Sequence, residues 1–307
     1  MAKRSLIIGG TLASMALLFI TLAPLEAGSS KSPSTAASSS MHASLAKAPA
    51  LDYQGIRPKP PRVNLHSAIV VNYDDGKVLY AKNADLVHPI ASISKLVAAM
   101  VILDKGVDLS ATTVITKEDA YHSSASHLRA GWEMSLRDLL HTALMISDNR
   151  ATRSLARAVS GSYDDFVKEM NLKAERLGLQ NTIFYDPTGL DARNVSTAHE
   201  LAIVLNAAYK YNLIAQITSL KEHTVSIKFK KRLSTLRMSN TNRMVSSPYR
   251  VLAGKTGYIE ASSYCLVTLL QNQAGERVTM VLLGASGGRA RFREARKLAD
   301  WAFKQIG

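Results

Sequence analysis

The strand-like segments of this chain lie at the two ends of its folded part, with helix-like segments between them. Apolar runs at 66–72 and 77–81 flank an Asp-Asp-Gly turn, which predicts a β-hairpin. Three further strand-like runs come late in the chain, at 250–256, 264–270 and 278–284. An amphipathic helix at 289–304 follows them. The early hairpin must pair with the late strands, so the sequence predicts an α+β fold with an antiparallel sheet flanked by helices.

The sequence between the two groups of strands predicts a helical subdomain at about residues 107–205. Within it, Ser135 and Asp138 have the spacing of a helix N-terminal capping box. Ahead of it, an apolar run that begins near Ser92 predicts a helix ending near Gly106. In a chain of this order, we expect that first helix to lie where the sheet and the helical subdomain meet.

The first 62 residues predict export and a tether. Residues 1–27 combine Lys3 and Arg4 with an apolar stretch, as in a signal peptide, and an uncleaved membrane anchor is the open alternative. Residues 28–62 are rich in Ser, Ala and Pro and cannot bury enough apolar surface to order themselves, so we expect a disordered linker. One folded domain is then expected at 63–307.

Charge and composition narrow the classes of partner. The 307 residues carry a net charge of +14, which favours anionic polymers or lipid headgroups, and permits a loose association with a membrane or a cell wall. Because the leader predicts export, we expect no nucleic-acid partner. The single cysteine, Cys265, excludes an intramolecular disulfide. The eight histidines show neither His-x-x-x-His nor Cys-paired spacing, so the sequence predicts no metal and no cofactor.

Ser92 and Lys95 form the first candidate for chemistry. Positions i and i+3 of a helix share one face, so the Ser92 hydroxyl and the Lys95 amine can reach one point. A serine needs a neighbouring base to become a nucleophile, and a lysine serves as that base when burial lowers its pKa. The apolar residues after Lys95 favour such burial. By itself the pair is weak, since an N-cap serine with a solvated lysine has the same pattern.

Two further motifs strengthen this interpretation. Ser147 and Asn149 belong to a Ser-Asp-Asn motif in the helical region, and Lys255 opens a Lys-Thr-Gly motif in a predicted strand. Ser147 can face Lys95 and relay a proton to a leaving amine, while Asn149 can orient Lys95 and hold a substrate amide. The three motifs together are those of penicillin-binding proteins and class A β-lactamases.

The residues after Lys255 predict substrate binding. Lys255 and Thr256 offer a cation and a hydroxyl to a substrate carboxylate, and Gly257 lets another backbone approach the strand closely. The backbone amide of Tyr258 can pair with that of Ser92 as an oxyanion hole.

With these motifs in order, the chain resembles the low-molecular-mass penicillin-binding proteins, the serine D-alanyl-D-alanine peptidases. Residues 177–198 are similar to that family's strongest non-catalytic signature, and the resemblance covers about residues 63–305. It implies a β-lactamase/DD-peptidase-like fold, a periplasmic catalytic domain and an acyl-enzyme on Ser92. It also implies peptidoglycan stem peptides as substrates and β-lactam antibiotics as covalent inhibitors.

Within that family, the chain most resembles the D-alanyl-D-alanine endopeptidases, which cut peptidoglycan cross-links. Carboxypeptidases of the family tend to continue into a second β-rich domain, whereas this chain stops at Gly307, and they tend to have arginine where Thr241 stands. Loss of that cation would relax the demand for a free terminal carboxylate. A D-alanyl-D-alanine carboxypeptidase stays open as the alternative, as does a non-catalytic cell-wall protein.

One residue of the second motif points toward class A β-lactamases. Asp148 is the middle residue that those enzymes use, but they also need a glutamate in a Glu-x-x-Leu-Asn setting, which this chain lacks. Glu169 and Glu175 are expected on a solvated helix face instead. We therefore expect slow deacylation of penicillin, which leaves a β-lactamase as the weaker alternative.

Three other features are open to two interpretations. His122 and His127 lie in a serine-rich loop, either solvated or at the rim of a cleft. The basic run at 228–232 is expected at a solvated hairpin tip, with binding of anionic glycan or peptide carboxylates as the alternative. Arg243 is expected near the cleft, because it lies between the Asn-Thr-Asn stretch and the strand of Lys255.

Overall fold

The computed structural model describes residues 60–121 and 126–306. The predicted leader at 1–27, most of the predicted linker at 28–62, and His122 lie outside these residues. Among the helices described, none is long and apolar enough to cross a membrane.

A five-stranded antiparallel sheet joins the two ends of the described chain, as the strand pattern predicts. In spatial order its strands are β2 (Val78–Lys82), β1 (Ser67–Asn72), β11 (Arg277–Ala285), β10 (Ser263–Gln271) and β9 (Arg250–Ile259). Strand β11 is the middle strand, and its pairing with β1 connects the early hairpin to the late strands. The α+β prediction is therefore confirmed.

Both faces of this sheet are buried, which explains why its strands are apolar almost without interruption. Along β1, Ile69 and Val71 belong to the larger apolar cluster, while Ala68 and Val70 belong to a second one. The alternation follows from the two-residue period of a strand. The final helix, α8 (Gly288–Ile306), covers the second face with its predicted apolar stripe.

The first helix, α1 (Lys95–Asp104), runs through the larger cluster, and its residues from Lys95 to Ile102 are all buried. A helix that is apolar all round belongs inside a core. The other helices are α2 (Lys117–Ala120), α3 (Leu136–Met145), α4 (Asn149–Ser160), α5 (Tyr163–Arg176), α6 (Ala198–Tyr209) and α7 (Asn212–Ser219).

A second sheet was not predicted. It has four strands in the order β4 (Thr112–Val114), β5 (Glu133–Ser135), β7 (Glu222–Phe229) and β8 (Arg232–Ser239). Two further strands of two residues each pair with one another, β3 (His88–Pro89) and β6 (Val195–Ser196). Strands β3, β4, β5 and β6 have only two or three residues, which is too short to leave a periodic pattern in the sequence. The basic run at 228–232 does lie at the β7–β8 hairpin tip.

Candidate active site

Ser92 lies in a 3-10 turn at Ala91–Ser94, immediately before α1, rather than inside the α-helix that the sequence predicts. In a 3-10 turn the side chains at i and i+3 eclipse one another, so Ser92 and Lys95 still face the same way. Lys95 Nζ lies 2.9 Å from Ser92 Oγ. Ala91 has a left-handed backbone with φ of +49°, a conformation that is costly for a residue with a Cβ.

Two glycines allow neighbouring segments to press on this turn. A Cβ on Gly189, which has φ of +82°, would lie 1.9 Å from the Ala91 carbonyl oxygen. A Cβ on Gly257 would lie 2.9 Å from the Ile90 carbonyl oxygen and 3.3 Å from the Ser92 backbone nitrogen. The turn at Ala91–Ser94, here called the nucleophile turn, is therefore held from two sides, by the Gly189 loop and by strand β9. Side chains at Gly189 and Gly257 would prevent this close approach.

The Lys95 amine is completely enclosed by polar partners. Besides Ser92 Oγ, it contacts Asn149 Oδ1 at 2.7 Å and the Thr188 carbonyl oxygen at 2.7 Å. The side chain is only 1% exposed. Burial lowers the pKa of Lys95 to about 7, although the nearby carboxylates of Asp186 and Asp148 oppose this shift. A large fraction of this lysine is therefore neutral at physiological pH.

The Thr188 carbonyl is delivered by a loop built around Asp186. The Asp186 carboxylate accepts the backbone N–H groups of Thr188 and Gly189, both at 3.0 Å, and that of Asp191 at 3.2 Å. It also accepts the Thr188 hydroxyl in a short hydrogen bond. Sequence reasoning missed this support of Lys95, although an aspartate that bonds the next backbone amides is a known turn signal.

Asn194 ties that loop to the nucleophile turn. Its Nδ2 donates to Ser94 Oγ at 3.1 Å and to the Asp186 carbonyl at 2.8 Å. Its Oδ1 accepts the Tyr185 backbone N–H at 2.7 Å. The segment at 177–198, which sequence reasoning treated as a non-catalytic signature, is thus the part of the chain that positions a hydrogen-bond partner of Lys95.

The Ser-Asp-Asn motif lies between α3 and α4. Ser147 has a left-handed backbone with φ of +63°, and Asn149 is the first residue of α4. Asp148 is buried, caps α4 by accepting the Ala151 N–H at 3.1 Å, and also accepts the N–H of His127, whose side chain is exposed, at 2.8 Å. Asp148, the middle residue of the motif, therefore connects the start of α4 to the backbone at His127.

Ser147 has a different partner from the one predicted. Its hydroxyl accepts a 2.8 Å hydrogen bond from Lys255 Nζ, whereas the hydrogen bonds of Lys95 go to other groups. Lys255 is 1% exposed and also donates to the Thr256 carbonyl at 2.9 Å. Burial lowers the pKa of Lys255 well below its usual value, and the positive charges of Lys95 and Arg291 add to this effect.

The remaining predicted residues lie along β9. The Thr256 hydroxyl is paired with the Thr241 hydroxyl at 2.7 Å, and Thr241 also donates its backbone N–H to the Met145 carbonyl at 3.0 Å. The Tyr258 ring is half-exposed and stacks on Tyr264, with 4.3 Å between ring centroids. The predicted contribution of the Tyr258 amide to an oxyanion hole stays a prediction.

Arg243 lies at a cavity beside Thr241. The cavity has a volume of about 600 Å³ and is lined by Ser239, Asn240, Thr241, Arg243, Gly288, Arg289, Arg291 and Phe292. Arg291 donates through Nη1 to the carbonyls of Gly257 at 3.0 Å and Cys265 at 3.1 Å, so its charge is fixed against strands β9 and β10. Three arginines make this cavity suited to an anion.

Neither candidate glutamate belongs to the site. The sequence predicts Glu169 on a solvated helix face, but it is half-buried and forms a 2.7 Å ion pair with Lys105. Lys105 follows the last residue of α1, roughly 15 Å along the helix from Lys95. Glu175 is exposed.

Comparisons with known proteins agree on the kind of molecule. A family model described as D-alanyl-D-alanine carboxypeptidase matches residues 54–287. The chain is 39% identical over 246 residues to a D-alanyl-D-alanine endopeptidase of Escherichia coli strain K12, with 78% of each chain covered. It is 40% identical over 238 residues to a D-alanyl-D-alanine endopeptidase of Pseudomonas aeruginosa, with 76% of each covered.

A solved structure supports the fold. The crystal structure of the Streptomyces K15 DD-transpeptidase matches with a TM-score of 0.76 at 27% identity, over 80% of this chain and 99% of that chain. The expected DD-peptidase-like fold is thereby confirmed.

Proposed function

The chain belongs to the D-alanyl-D-alanine carboxypeptidase family of serine peptidases, and we propose that it is an endopeptidase that hydrolyses the D-alanyl cross-links of peptidoglycan. The reaction passes through an acyl-enzyme on Ser92. One observation carries the role of Ser92: its hydroxyl lies 2.9 Å from the amine of the buried Lys95, whose pKa burial lowers to about 7. The choice of an endopeptidase rests on the similar D-alanyl-D-alanine endopeptidases.

The partners of Lys95 can accommodate its neutral form as well as its ammonium form. A neutral amine has two hydrogens and one lone pair. The Asn149 side-chain oxygen and the Thr188 carbonyl can only accept, and both lie 2.7 Å away, so they take the two hydrogens. The lone pair is then left for the third neighbour, the Ser92 hydroxyl, which can donate. Neutral Lys95 is therefore placed to act as general base.

In acylation, Lys95 takes the proton of Ser92 as Oγ attacks the carbonyl carbon of the D-alanyl residue. The carbonyl oxygen becomes an oxyanion, which the backbone amides of Ser92 and Tyr258 stabilise. As the C–N bond breaks, Ser147 gives its proton to the leaving nitrogen. While Lys95 is neutral it does not repel a positive charge on Lys255, so Lys255 is the protonated lysine of the two, and it restores the Ser147 proton from 2.8 Å away.

Deacylation reverses these transfers. Water attacks the ester on Ser92 and gives a proton through Ser147 back to Lys255. Ser92 leaves with the proton that Lys95 has held. The enzyme returns to its starting state, and one water has been added across the peptide bond.

The arginine-lined cavity has a role in placing the substrate. A cross-linked peptide carries a carboxylate close to the bond that is cut, and Arg243, Arg289 and Arg291 offer it positive charge. Thr241 in this cavity is neutral, so a large leaving strand is accommodated without a short, fixed ion pair at that position. The same charges would hold a terminal carboxylate, which makes a D-alanyl-D-alanine carboxypeptidase the second candidate.

A β-lactamase activity is disfavoured. Glu169 is occupied by Lys105, and Glu175 is exposed on α5. Without a glutamate beside the acyl ester, deacylation of penicillin is slow. Penicillins and other β-lactams therefore act as covalent inhibitors.

We place the reaction in the periplasm, after export directed by residues 1–27, in the remodelling of the cell wall. The net charge of +14 supports attraction to an anionic wall polymer or membrane surface.

The test uses residues 28–307 and a Ser92→Ala variant. One sample of each is incubated with a labelled penicillin, and a separate sample without penicillin is incubated with purified cross-linked muropeptide dimers. The endopeptidase proposal predicts label on the wild type alone and conversion of dimers to monomers. Label with release of terminal D-Ala but intact dimers would replace it with a carboxypeptidase. Absence of label on the wild type would overturn the role of Ser92.

A further inference from the structure

A second group of titratable side chains lies outside the active site, between α3 and β7. Asp138 and His141 are three residues apart on α3, and His223 is on β7. One ligand atom from each lies within 4.8 Å of the others. These residues form no recognisable metal motif in the sequence because they come from two elements that are distant along the chain.

The ring of His141 is held in the orientation and tautomer that a metal ligand needs. Its Nδ1 lies 2.9 Å from the Arg137 carbonyl, which can only accept. Nδ1 therefore carries the hydrogen, and Nε2 keeps its lone pair. A carbonyl that fixes a histidine in this way is the usual support of a metal-binding imidazole. The side chain is buried, which also keeps competing water away.

The other two groups have capacity to spare. Asp138 accepts one hydrogen bond on Oδ2, from the Ser226 backbone N–H at 3.3 Å, so Oδ1 remains for a cation. Among the residues that the structure describes, none forms a hydrogen bond with the ring of His223. That half-buried ring stacks on His141 instead, with 4.0 Å between centroids and 17° between planes.

We propose that Asp138, His141 and His223 form a binding site for a divalent transition-metal ion, for which Zn²⁺ is the best match. Two imidazoles and one carboxylate are a common zinc ligand set, with water completing the tetrahedron. Two rings stacked with 17° between their planes cannot both aim a ring nitrogen at one ion, so His223 must turn out of the stack to share an ion with His141. Its partial exposure leaves room for that rotation.

The ion would stabilise the packing of α3 against β7 and take no part in the peptidase reaction. It joins α3 to β7, and both lead to the active site. Helix α3 ends at Met145, roughly 6 Å along the helix from His141, and the Met145 carbonyl binds Thr241, while Ser147 follows two residues later. Strand β7 continues through its hairpin partner β8 to Thr241. The inference does not depend on the proposed function.

The test is calorimetric titration of the full chain with Zn²⁺ after removal of metals by a chelator. We expect one Zn²⁺ per chain and a higher Tm with the ion. His223→Ala and Asp138→Asn should weaken binding at least about tenfold, because each removes a ligand. His199→Ala is the matched control, since it removes a histidine that lies beside a carboxylate, that of Asp85, outside the proposed metal site.

Labelling with penicillin checks that each variant is folded. Co²⁺ gives a second readout, because a tetrahedral nitrogen and oxygen site should produce visible absorption that both variants lose. A wild type without stoichiometric binding would overturn the proposal. Equal binding by the wild type and both variants would do the same, since the ion would then sit on other surface groups.

Discussion

Two buried lysines lie in the candidate site, Lys95 at the start of α1 and Lys255 on β9, and the charges around them differ. Burial lowers the pKa of Lys95 to about 7, and the nearby carboxylates of Asp186 and Asp148 keep it from falling further. Lys255, on β9, has no carboxylate among the groups that shift its pKa: burial lowers it, and positive charge on Lys95 or Arg291 lowers it further. The same residue type, equally buried, is thus tuned differently by what surrounds it.

The difference indicates a division of roles. Lys95 is balanced near neutral pH, contacts the nucleophile, and fits a general base. Lys255 contacts Ser147, so it fits a proton donor toward the leaving group. The following predictions test that contrast, from the largest effect to the smallest.

Replacing Lys95 should have the largest effect. We expect Lys95→Ala to slow acylation by penicillin by about 100- to 10,000-fold, the usual contribution of a general base. Initial binding should change little, because Lys95 contacts the enzyme's own groups. Stopped-flow labelling separates the two quantities. A Lys95→Ala variant that acylates at the wild-type rate would remove Lys95 from the mechanism.

Gly189 should be the most sensitive position in the supporting loop. A methyl group there would collide with the Ala91 carbonyl and displace the nucleophile turn, so Gly189→Ala should slow acylation by about 100-fold. Gly178→Ala is the control, since Gly178 also has a positive φ, but a Cβ there meets nothing within 4 Å. Each change should cost about 1–2 kcal/mol of stability from backbone strain alone.

If both variants lost acylation equally in this comparison, a general loss of stability would explain the effect. The close approach of the loop to Ala91 would then have no specific role.

Asp186 should shift the pH dependence. Its carboxylate raises the pKa of Lys95, so Asp186→Asn should lower that pKa and move the rise of the acylation rate to lower pH. Asp191→Asn is the control, because Asp191 pairs with Arg193 on the same loop. A shift to higher pH in Asp186→Asn would contradict the electrostatic contrast between Lys95 and Lys255.

Thr241 should have the smallest effect on the rate and a larger one on specificity. Thr241→Arg adds a cation to the cavity, so release of terminal D-Ala should rise relative to cleavage of dimers, by a few-fold. Thr241→Val is the comparison, since it removes only the hydroxyl that pairs with Thr256. An unchanged product ratio in Thr241→Arg would separate this position from substrate choice.

The parts of the site that the sequence predicted are those whose side chains, in the proposed mechanism, carry the chemistry. Ser92 and Lys95 could be paired because they are three residues apart, and the central sheet followed from apolar runs at both ends of the chain. The Thr188 carbonyl could not be predicted as a partner of Lys95, because a backbone oxygen has no signature of its own. The pairing of Ser147 with Lys255 instead of Lys95 depends on how far the α3–α4 connection lies from β9 and from α1. Spacing along the chain does not determine these distances.

The central claim is that Lys95 acts as a neutral base, and the pH dependence of acylation tests it most directly. The acylation rate constant of wild-type protein with a labelled penicillin would be measured from about pH 5 to about pH 9, a range that brackets the pKa of a general base suited to neutral pH. A base must lose its proton to act, so the rate should rise with pH, with a midpoint at about 7. A rate that does not change over this range, or that still rises steeply at its alkaline end, would contradict the claim.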